Sequence, residues 1–298
     1  DRAMRVTDKL RFDIFKNNLA ALKEQLDKTQ NIIASGKKIM APSDDPVMAS
    51  RSVELEAQKN QNDQFSRNLG QLKTLSSFYD TSLTKIEELL TRVKELTVSQ
   101  SSDNMDASTR LTASEEVKGI IEQLVSIGNS KIGSTYIFGG QRANSVPFAL
   151  DADYNVTYSG TSDVSSVYVD NTTRENAGIS GERVFNADTD IFSSLKTFKE
   201  ALETNDRSGI QSAMDDIDEA LSATEDNLAY VGTYMKRIED LLADNEVKSN
   251  NLTQTVSGMV ETDITQAIAD FNTLTTTYQG LLYSMARVQE LSILNYLK

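Results

Sequence analysis

Residues 65–97 read FSRNLGQLKTLSSFYDTSLTKIEELLTRVKELT, and this stretch decides the fold class. Apolar residues recur in it at alternating spacings of three and four, which is typical of a helix packed along its whole length against other helices. The seam consists of Phe65, Leu69, Leu72, Ser76, Tyr79, Leu83, Ile86, Leu90, Val93 and Thr97. At 1.5 Å per residue it predicts a helical rod roughly 50 Å long.

Three further stretches repeat this spacing, one before the rod and two after it. The N-terminal seam consists of Phe12, Phe15, Leu19, Leu22, Leu26, Thr29 and Ile33. The third seam consists of Met214, Ile217, Leu221, Thr224, Leu228, Val231, Met235, Ile238 and Leu242. The fourth consists of Ile264, Ile268, Phe271, Thr275, Tyr278, Leu282 and Met285, with a continuation to Leu291 and Leu294. With 3 prolines and 14 glycines in 298 residues, few positions interrupt such helices.

Two capping-box patterns suggest further helix starts. Thr112 and Glu115 predict that a fifth helix opens there and runs to Ile127. Ser208 and Gln211 give the same signal ahead of the third seam.

The helical period disappears over residues 136–185, where glycine, asparagine and β-branched residues take over. Tyr154, Val156 and Tyr158 alternate with polar residues and predict a half-exposed strand. A turn at residues 151–153 would pair it with a strand containing Phe148 and Leu150, and Ser166–Val169 suggests another strand. The sequence therefore predicts a mainly α protein with a β-rich insertion, in which the N- and C-terminal helices pair into a long bundle.

Composition excludes several function classes. Thirty basic against 44 acidic residues give a formal charge of −14, which disfavours nucleic acid and anionic membranes as partners. Cysteine and histidine are absent, which removes thiol nucleophiles, the commonest general base and the commonest zinc ligands. We therefore expect no enzyme activity, no catalytic residue, no cofactor and no metal site. Neither a membrane-spanning run nor a signal peptide is visible, so we expect the chain either to stay in the cytoplasm or to leave by a route that needs no cleaved signal.

Acidic clusters offer the remaining candidates for chemistry. Asp151, Asp153 and Asn155 resemble the opening of a calcium loop, but Val156 and Ser162 stand where that loop needs glycine and glutamate. A hairpin turn is therefore favoured. The cluster of Asp103, Asn104 and Asp106 is better explained by helix capping. The cluster of Asp215, Asp216, Asp218 and Glu219 is better explained by the solvated face of an amphipathic helix.

The segment Pro42-Ser43-Asp44-Asp45-Pro46 predicts a rigid corner between the first two rods. Asp45 would cap the second helix with Pro46 at its first position, and Gly36 would end the first helix after Ser35.

Four segments carry a family resemblance: SGKKIMAPSDDPVMAS at 35–50, YIFGG at 136–140, GERVFN at 181–186 and LSILNYL at 291–297. In this order they resemble the flagellin-like family of flagellar hook-associated proteins found at the hook–filament junction. Flagellin is the nearest alternative, because flagellins resemble the chain at Ser35-Gly36 and Asp44-Asp45. They typically lack prolines such as those at 42 and 46.

The resemblance implies a nested architecture and a set of partners. Residues 1–42 and 259–298 would form a terminal coiled-coil inner domain, residues 43–135 and 190–258 a rod-like helical domain, and residues 136–189 an outer β-rich domain. It also implies type III export, localisation at the junction and an export chaperone that binds the C-terminal helix. The implied partners are further copies of the chain, the first hook-associated protein and flagellin.

The terminal seams suggest how such a subunit would assemble. Two short helices cannot bury all of their apolar residues against one another, so these seams would order only when neighbouring subunits cover them. The predicted assembly residues are Phe12, Phe15, Leu19, Leu22, Leu26, Ile33, Ile264, Ile268, Phe271, Tyr278, Leu282, Met285, Leu291 and Leu294. Two other classes remain as alternatives: a secreted coiled-coil adhesin that binds through its β segment, and a carboxylate-dependent hydrolase.

Overall fold

The computed structural model describes residues 2–102, 104–186 and 189–296, with side chains described for residues 10, 12–102, 104–186 and 189–287. The helices are α1 (Arg2–Ser35), α2 (Pro46–Gln100), α3 (Ala107–Gly128), α4 (Gly181–Phe185), α5 (Ile191–Glu203), α6 (Arg207–Val260) and α7 (Ile264–Tyr296). The strands are β1 (Lys131–Ile132), β2 (Thr135–Tyr136), β3 (Phe148–Leu150), β4 (Val156–Tyr158), β5 (Ser166–Tyr168) and β6 (Arg174–Asn176). The predicted fold class is confirmed. None of the helices in the described part is both long and apolar enough to cross a membrane.

The α2 seam is buried along its whole predicted length. Every residue of it, from Phe65 to Thr97, lies inside the structure. Helix α6 runs antiparallel to it, since Lys73 pairs with Glu239 at 3.0 Å and Lys94 with Asp218 at 2.8 Å. The buried face of α6 consists of Ile210, Ala213, Ile217, Ala220, Thr224, Asn227, Val231, Ile238 and Asn245.

Both capping-box predictions were wrong about where the helices start. Helix α3 opens five residues before Thr112, where the Asp106 carboxylate accepts a hydrogen bond of 2.7 Å from the Thr109 amide. Helix α6 opens at Arg207, preceded by Asp206, whose carboxylate accepts from the Ser208 amide at 3.0 Å. A single aspartate caps each start, and the two Thr/Ser-x-x-Glu/Gln patterns lie inside the helices.

Helix α5 was not predicted. Asp190 caps it by accepting from the amides of Phe192 and Ser193. Its apolar residues follow helical spacing, and Leu195, Phe198 and Leu202 are buried. The same spacing was therefore present in the sequence, but over only 13 residues.

The predicted hairpin is confirmed. Strands β3 and β4 pair antiparallel with Phe148 opposite Tyr158 and Leu150 opposite Val156. The connecting turn is held by the Asp151 carboxylate, which accepts hydrogen bonds from the amides of Asp153 and Asn155 and from the Asn155 side chain. Tyr154 lies in this turn with φ of 62° instead of in the strand. A second hairpin pairs β5 with β6, and a short one pairs β1 with β2.

The β1–β2 and β3–β4 hairpins share one core with the helices, whereas the β5–β6 hairpin packs in a smaller cluster with Leu69, Leu72 and Ile238. Phe148 packs against Phe185 of α4 and Phe192 of α5, with ring centroids 4.8 and 5.6 Å apart. Phe138 packs edge-on against Tyr79 of α2 at 5.4 Å. The large core thus includes residues of α2, α3, α4, α5, α6 and the β segment.

The chain divides into two compact units. Unit 1 consists of residues 1–60 and 249–298, and unit 2 consists of residues 61–248. The division into inner, rod and outer β domains stays a prediction.

Candidate assembly surface

The candidate assembly surface lies on the α1–α7 pair of unit 1. Backbone hydrogen bonds join the segments that flank the two helices: the Lys38 amide donates to Val260 O at 2.8 Å, and the Thr262 amide donates to Gly36 O at 3.0 Å. Lys37 and Glu261 form an antiparallel bridge between these segments. The C-terminal end of α1 therefore lies beside the start of α7, and the two helices run antiparallel.

The predicted seam of α1 faces α7 but is only half-buried. Phe15, Leu19, Leu22, Leu26 and Ile33 keep intermediate exposure, and Phe12 is exposed. None of the described side chains of α1 is fully buried.

The seam of α7 differs in part from the predicted one. Phe271, Tyr278 and Met285 are half-buried as predicted. Ile264, Ile268 and Leu282 are exposed instead, with Ile268 at 44%. The packed row is completed by Ala267, Leu274 and Leu281. Ala267 directly precedes the exposed Ile268, and Leu281 directly precedes the exposed Leu282. Leu291 and Leu294 lie outside the residues whose side chains are described.

This difference has a geometric cause. Residues 267, 271, 274, 278, 281 and 285 recur at spacings of four and three, so they form one continuous row toward α1. Successive residues are about 100° apart around a helix, so Ile268 and Leu282 lie on the next row beside Ala267 and Leu281. The predicted seam mixed two adjacent apolar rows. The second row leaves α7 with apolar residues that α1 does not cover.

Further exposed apolar residues were missed in the sequence. Leu10 and Ile14 on α1 are exposed, and Tyr283 on α7 is 77% exposed. The sequence signal was the apolar pair Leu10 and Ile14, which are four residues apart and lie beside the predicted seam. Counting apolar spacing along a single row does not detect such a second row. Around this helix pair only Ala267 is fully buried among the described side chains, so much apolar surface remains in water.

The corner at residues 42–46 is built by two aspartates. Helix α1 ends at Ser35, and Gly36 has φ of +70°, where a left-handed conformation closes the helix. The Asp45 carboxylate accepts from the amides of Val47 and Met48 at 3.1 and 3.0 Å, so the predicted cap of α2 is confirmed. Pro42 and Ser43 are exposed, and Pro46 is the first residue of α2.

Asp44 performs a role that the sequence did not indicate. Its carboxylate accepts from the amides of Met40 and Ala41 at 3.1 and 3.0 Å and from Lys28 Nζ at 3.0 Å. The hydrogen bond from Lys28, followed by those two amides, lowers the pKa of Asp44 to about 2. The carboxylate thereby ties α1 to the corner. Whether the corner sets the angle between rods stays a prediction.

The other acidic clusters serve the structure where it describes them. Asp151 and Asp106 hold a turn and a helix start, as described above, and Asp218 pairs with Lys94. Asp103 lies outside the described residues. In the described part of the chain, no group of three or more acidic residues is arranged to hold a metal ion.

The sequence matches two models of one family. Residues 13–142 match the N-terminal helical region of bacterial flagellin, and residues 214–297 match its C-terminal helical region. The matched ranges contain most of the candidate surface on α1 and α7.

Curated relatives carry two names. The flagellar hook-associated protein 3 of Escherichia coli is 23% identical over 286 residues, covering 88% of this chain and 89% of that protein. The protein of the same name from Salmonella typhimurium is 24% identical, covering 62% of this chain and 58% of that protein. A flagellin of Halalkalibacterium halodurans is 23% identical, covering 94% of this chain and 95% of that protein.

The fold also matches solved structures. The structure described as the flagellar junction protein FlgL from Legionella pneumophila superposes with a TM-score of 0.57 at 14% identity. The match covers 72% of this chain and 100% of that structure. At this identity the likeness concerns the fold alone.

Proposed function

Because the chain belongs to the bacterial flagellin family, we propose that it is a structural subunit of the flagellum that assembles at the hook–filament junction and adapts the hook to the filament. The observation that carries this proposal is the exposed apolar surface of the α1–α7 pair. A monomer that leaves such surface in water gains from burying it against further copies or related subunits.

The driving force follows from simple energetics. Burial of apolar surface contributes about 25 cal/mol per Å², and ordering each residue costs about 1–2 kcal/mol. Within one subunit α1 and α7 bury one row each, so little remains after that cost. Neighbouring subunits would also bury the apolar rows that contain Leu10, Ile14, Ile268 and Tyr283. We propose that the two terminal helices gain most of their stability in the assembled lattice.

Two features favour the junction over the filament. Relatives named hook-associated protein 3 come from two organisms, and Pro42 and Pro46 stand at positions where flagellins typically lack proline. The flagellin relative keeps the filament subunit as the alternative. The proposed partners are further copies of the chain, the first hook-associated protein, flagellin and an export chaperone at the C-terminal helix. The proposed route is type III export to the flagellum, and the proposed role is structural instead of catalytic.

An adhesin role has weaker support, because the aromatic residues of the β segment serve its own packing. Tyr158 donates to Phe138 O at 2.9 Å, and its ring packs at a tilt against Phe148, which is fully buried, with ring centroids 4.9 Å apart. Tyr154 donates to Glu122 of α3 at 3.1 Å. Tyr168 is exposed, but Arg174 lies over its ring at 4.1 Å.

Gold-labelled protein added to isolated hooks separates these functions by electron microscopy. The hooks carry the first hook-associated protein, and flagellin is added afterwards. A junction subunit gives a short labelled zone at the hook end from which an unlabelled filament grows. Label along the filament would instead indicate a filament subunit, and hooks without label would contradict assembly altogether.

A matched pair of variants tests the assembly surface itself. Ile268→Asp places a charge on the exposed apolar row of α7 and should reduce hook binding at least tenfold. Thr276→Asp adds the same charge at an exposed polar position of α7 and should bind like the unmodified protein. Both should unfold at the same urea concentration as the parent, because neither residue is buried. Equal hook binding by the two variants would show that the row does not mediate assembly.

A further inference from the structure

The β5–β6 hairpin packs on the helices of unit 2 outside the large core. Its strands pair over three residues each, from Ser166 opposite Asn176 to Tyr168 opposite Arg174. A smaller cluster holds the hairpin against α2 and α6, and the buried members of this cluster are Leu69, Leu72, Val169 and Ile238. The hairpin therefore covers one stretch of the seam between the two helices.

Backbone hydrogen bonds close the hairpin on itself. The Val169 amide donates to Thr173 O at 3.1 Å, and the Ala177 amide donates to Ser165 O at 2.6 Å. A two-stranded hairpin of this length is at best marginally stable by itself in water. Its order therefore depends on how it is attached to the helices.

Two helix side chains attach the hairpin through its main chain. Asn68 Nδ2 of α2 donates to Tyr168 O at 2.7 Å, and the Tyr234 hydroxyl of α6 donates to Asn176 O. Both acceptors are uncharged carbonyls that water can serve when the hairpin detaches. Each of these hydrogen bonds therefore favours attachment only modestly.

The third attachment is an ion pair with a buried carboxylate. Glu175 lies opposite Val167 in the hairpin and is 7% exposed. It shares the inner face of the hairpin with Val167, Val169 and Ala177, which pack in the small cluster. The guanidinium of Arg237 on α6 pairs with this carboxylate, and the Arg237 side chain remains 60% exposed. The attached hairpin thus buries a negative charge that an arginine balances from the solvent side.

A buried carboxylate that loses its partner is strongly destabilising. In an opened hairpin Glu175 would return to water, so the loss of Arg237 would penalise the closed state alone. We infer that the β5–β6 hairpin is a strap, which opens from the seam while the large core stays folded, and that Arg237 is the latch that holds it closed. Opening would uncover Leu69, Leu72 and Ile238. This goes beyond the proposed function and does not depend on it.

Thiol labelling of the full chain tests the strap, because the absence of cysteine gives a clean background. Val169→Cys places a thiol under the strap, and Val117→Cys places one in the large core, where the two valines are 1% and 0% exposed. A small thiol reagent reaches either position only when its surroundings open. Val169→Cys should react at least tenfold faster than Val117→Cys, since the strap opens without the core.

Removal of the arginine tests the latch. Arg237→Ala should accelerate labelling of Val169→Cys at least tenfold further, because it leaves the carboxylate buried without its partner. Labelling of Val117→Cys should not change. Adding Glu175→Gln should restore most of the slow rate, because a neutral amide costs less to bury than a charge. Lys236→Ala removes the neighbouring exposed cation and, as the control, should change neither rate.

Equal labelling of the two thiols without the Arg237 substitution would overturn the inference, because the strap would then open only when the whole unit unfolds. An Arg237→Ala variant that accelerates both thiols equally, or that fails to fold by circular dichroism, would overturn it too, since the arginine would then support the core. An unchanged rate at Val169→Cys, or an acceleration that Glu175→Gln does not reverse, would show that the ion pair is not the latch.

Discussion

Lys28 Nζ lies 3.0 Å from Asp44 Oδ1, and this ion pair ties the last third of α1 to the loop that leads into α2. The other oxygen of the carboxylate accepts from the amides of Met40 and Ala41. One aspartate thus closes the loop on itself and attaches it to the helix before it. Asp45 next to it caps the helix that follows, so adjacent carboxylates serve opposite sides of the corner.

This arrangement should give the corner a defined acid sensitivity. The pKa of Asp44 is lowered from 3.8 to about 2, chiefly by Lys28, so its contribution is complete above about pH 4 and is lost as the pH falls through 2. The amide resonances of Met40 and Ala41 should therefore shift in nuclear magnetic resonance spectra with a midpoint near pH 2. Asp44→Asn should abolish that transition and leave both amides pH-independent. Asp27→Asn, one residue from Lys28, is the control and should retain it; a midpoint near 4 in the parent would contradict the contact.

Arg110 should be the most important polar residue at the other end of α2. It is buried, and its guanidinium donates to Gln100 O at 3.2 Å, to Ser102 O at 3.3 Å and to Asn205 Oδ1. It therefore satisfies carbonyls that the end of a helix leaves free. Arg110→Ala should lower the free energy of unfolding by about 2–3 kcal/mol, measured by urea titration. Arg110→Lys should recover part of the loss.

Lys236→Ala is the control for this measurement. Lys236 makes an exposed i, i+4 pair with Asp240, so its removal should change the urea midpoint little. Equal midpoints for the Arg110 and Lys236 variants would show that the capping bonds contribute nothing.

The charge of the chain is carried by one unit. Residues 1–60 and 249–298 hold 13 of the 30 basic and 13 of the 44 acidic residues, which leaves 17 basic and 31 acidic residues for unit 2. The whole formal charge of −14 thus belongs to unit 2, while unit 1 is neutral. Copies that associate through unit 1 would bring these like charges closer together.

Self-association should therefore increase with ionic strength, because salt screens repulsion beyond roughly 10 Å at 0.1 M. Sedimentation velocity across a sodium chloride series measures this. The variant Asp215→Asn/Glu219→Asn should associate at lower salt than the parent. Association that weakens as salt is added would show that attraction between opposite charges, instead of apolar burial, holds the copies together.

How far the sequence predicted this fold depends on how long each pattern runs. The α2 seam repeats over 33 residues, and a repeat of that length identifies a single face of the helix without ambiguity. Every residue of this seam is buried. Helix α5 has the same spacing over three turns and was missed. The capping-box patterns placed two helix starts wrongly because a single aspartate, Asp106 or Asp206, is a sufficient cap, and the capping role predicted for the cluster that contains Asp106 is confirmed.

The candidate site was predictable only in part. Phe15 and Leu19 lie on the half-buried row of α1, but the apolar pair Leu10 and Ile14 on the neighbouring row was missed. Helix α7 carries two adjacent rows, and spacing alone cannot decide whether Ala267 or Ile268 faces α1. The contact between Lys28 and Asp44 has no sequence signal, because the two residues are brought together by the turn between them. The assembly role of these residues stays a prediction.

The last prediction concerns removal of α7. The large core, from Tyr79 to Val231, lies entirely in unit 2, so deleting residues 261–298 should leave the main thermal transition nearly unchanged. Leu90→Ala is the comparison: Leu90 is fully buried in that core, and its truncation should cost about 2–5 kcal/mol. The deletion should nevertheless abolish binding to hooks, because it removes both the partner helix of α1 and the apolar rows that α7 presents.

Brief proteolysis of the intact monomer should likewise remove both ends, back to near residues 40 and 255, before unit 2 is cut. Two outcomes would contradict the prediction: the deleted protein melts well below its parent, or the ends of the free monomer resist protease as well as its middle does. In either case α1 and α7 belong to the stable monomer and do not depend on assembly for their order.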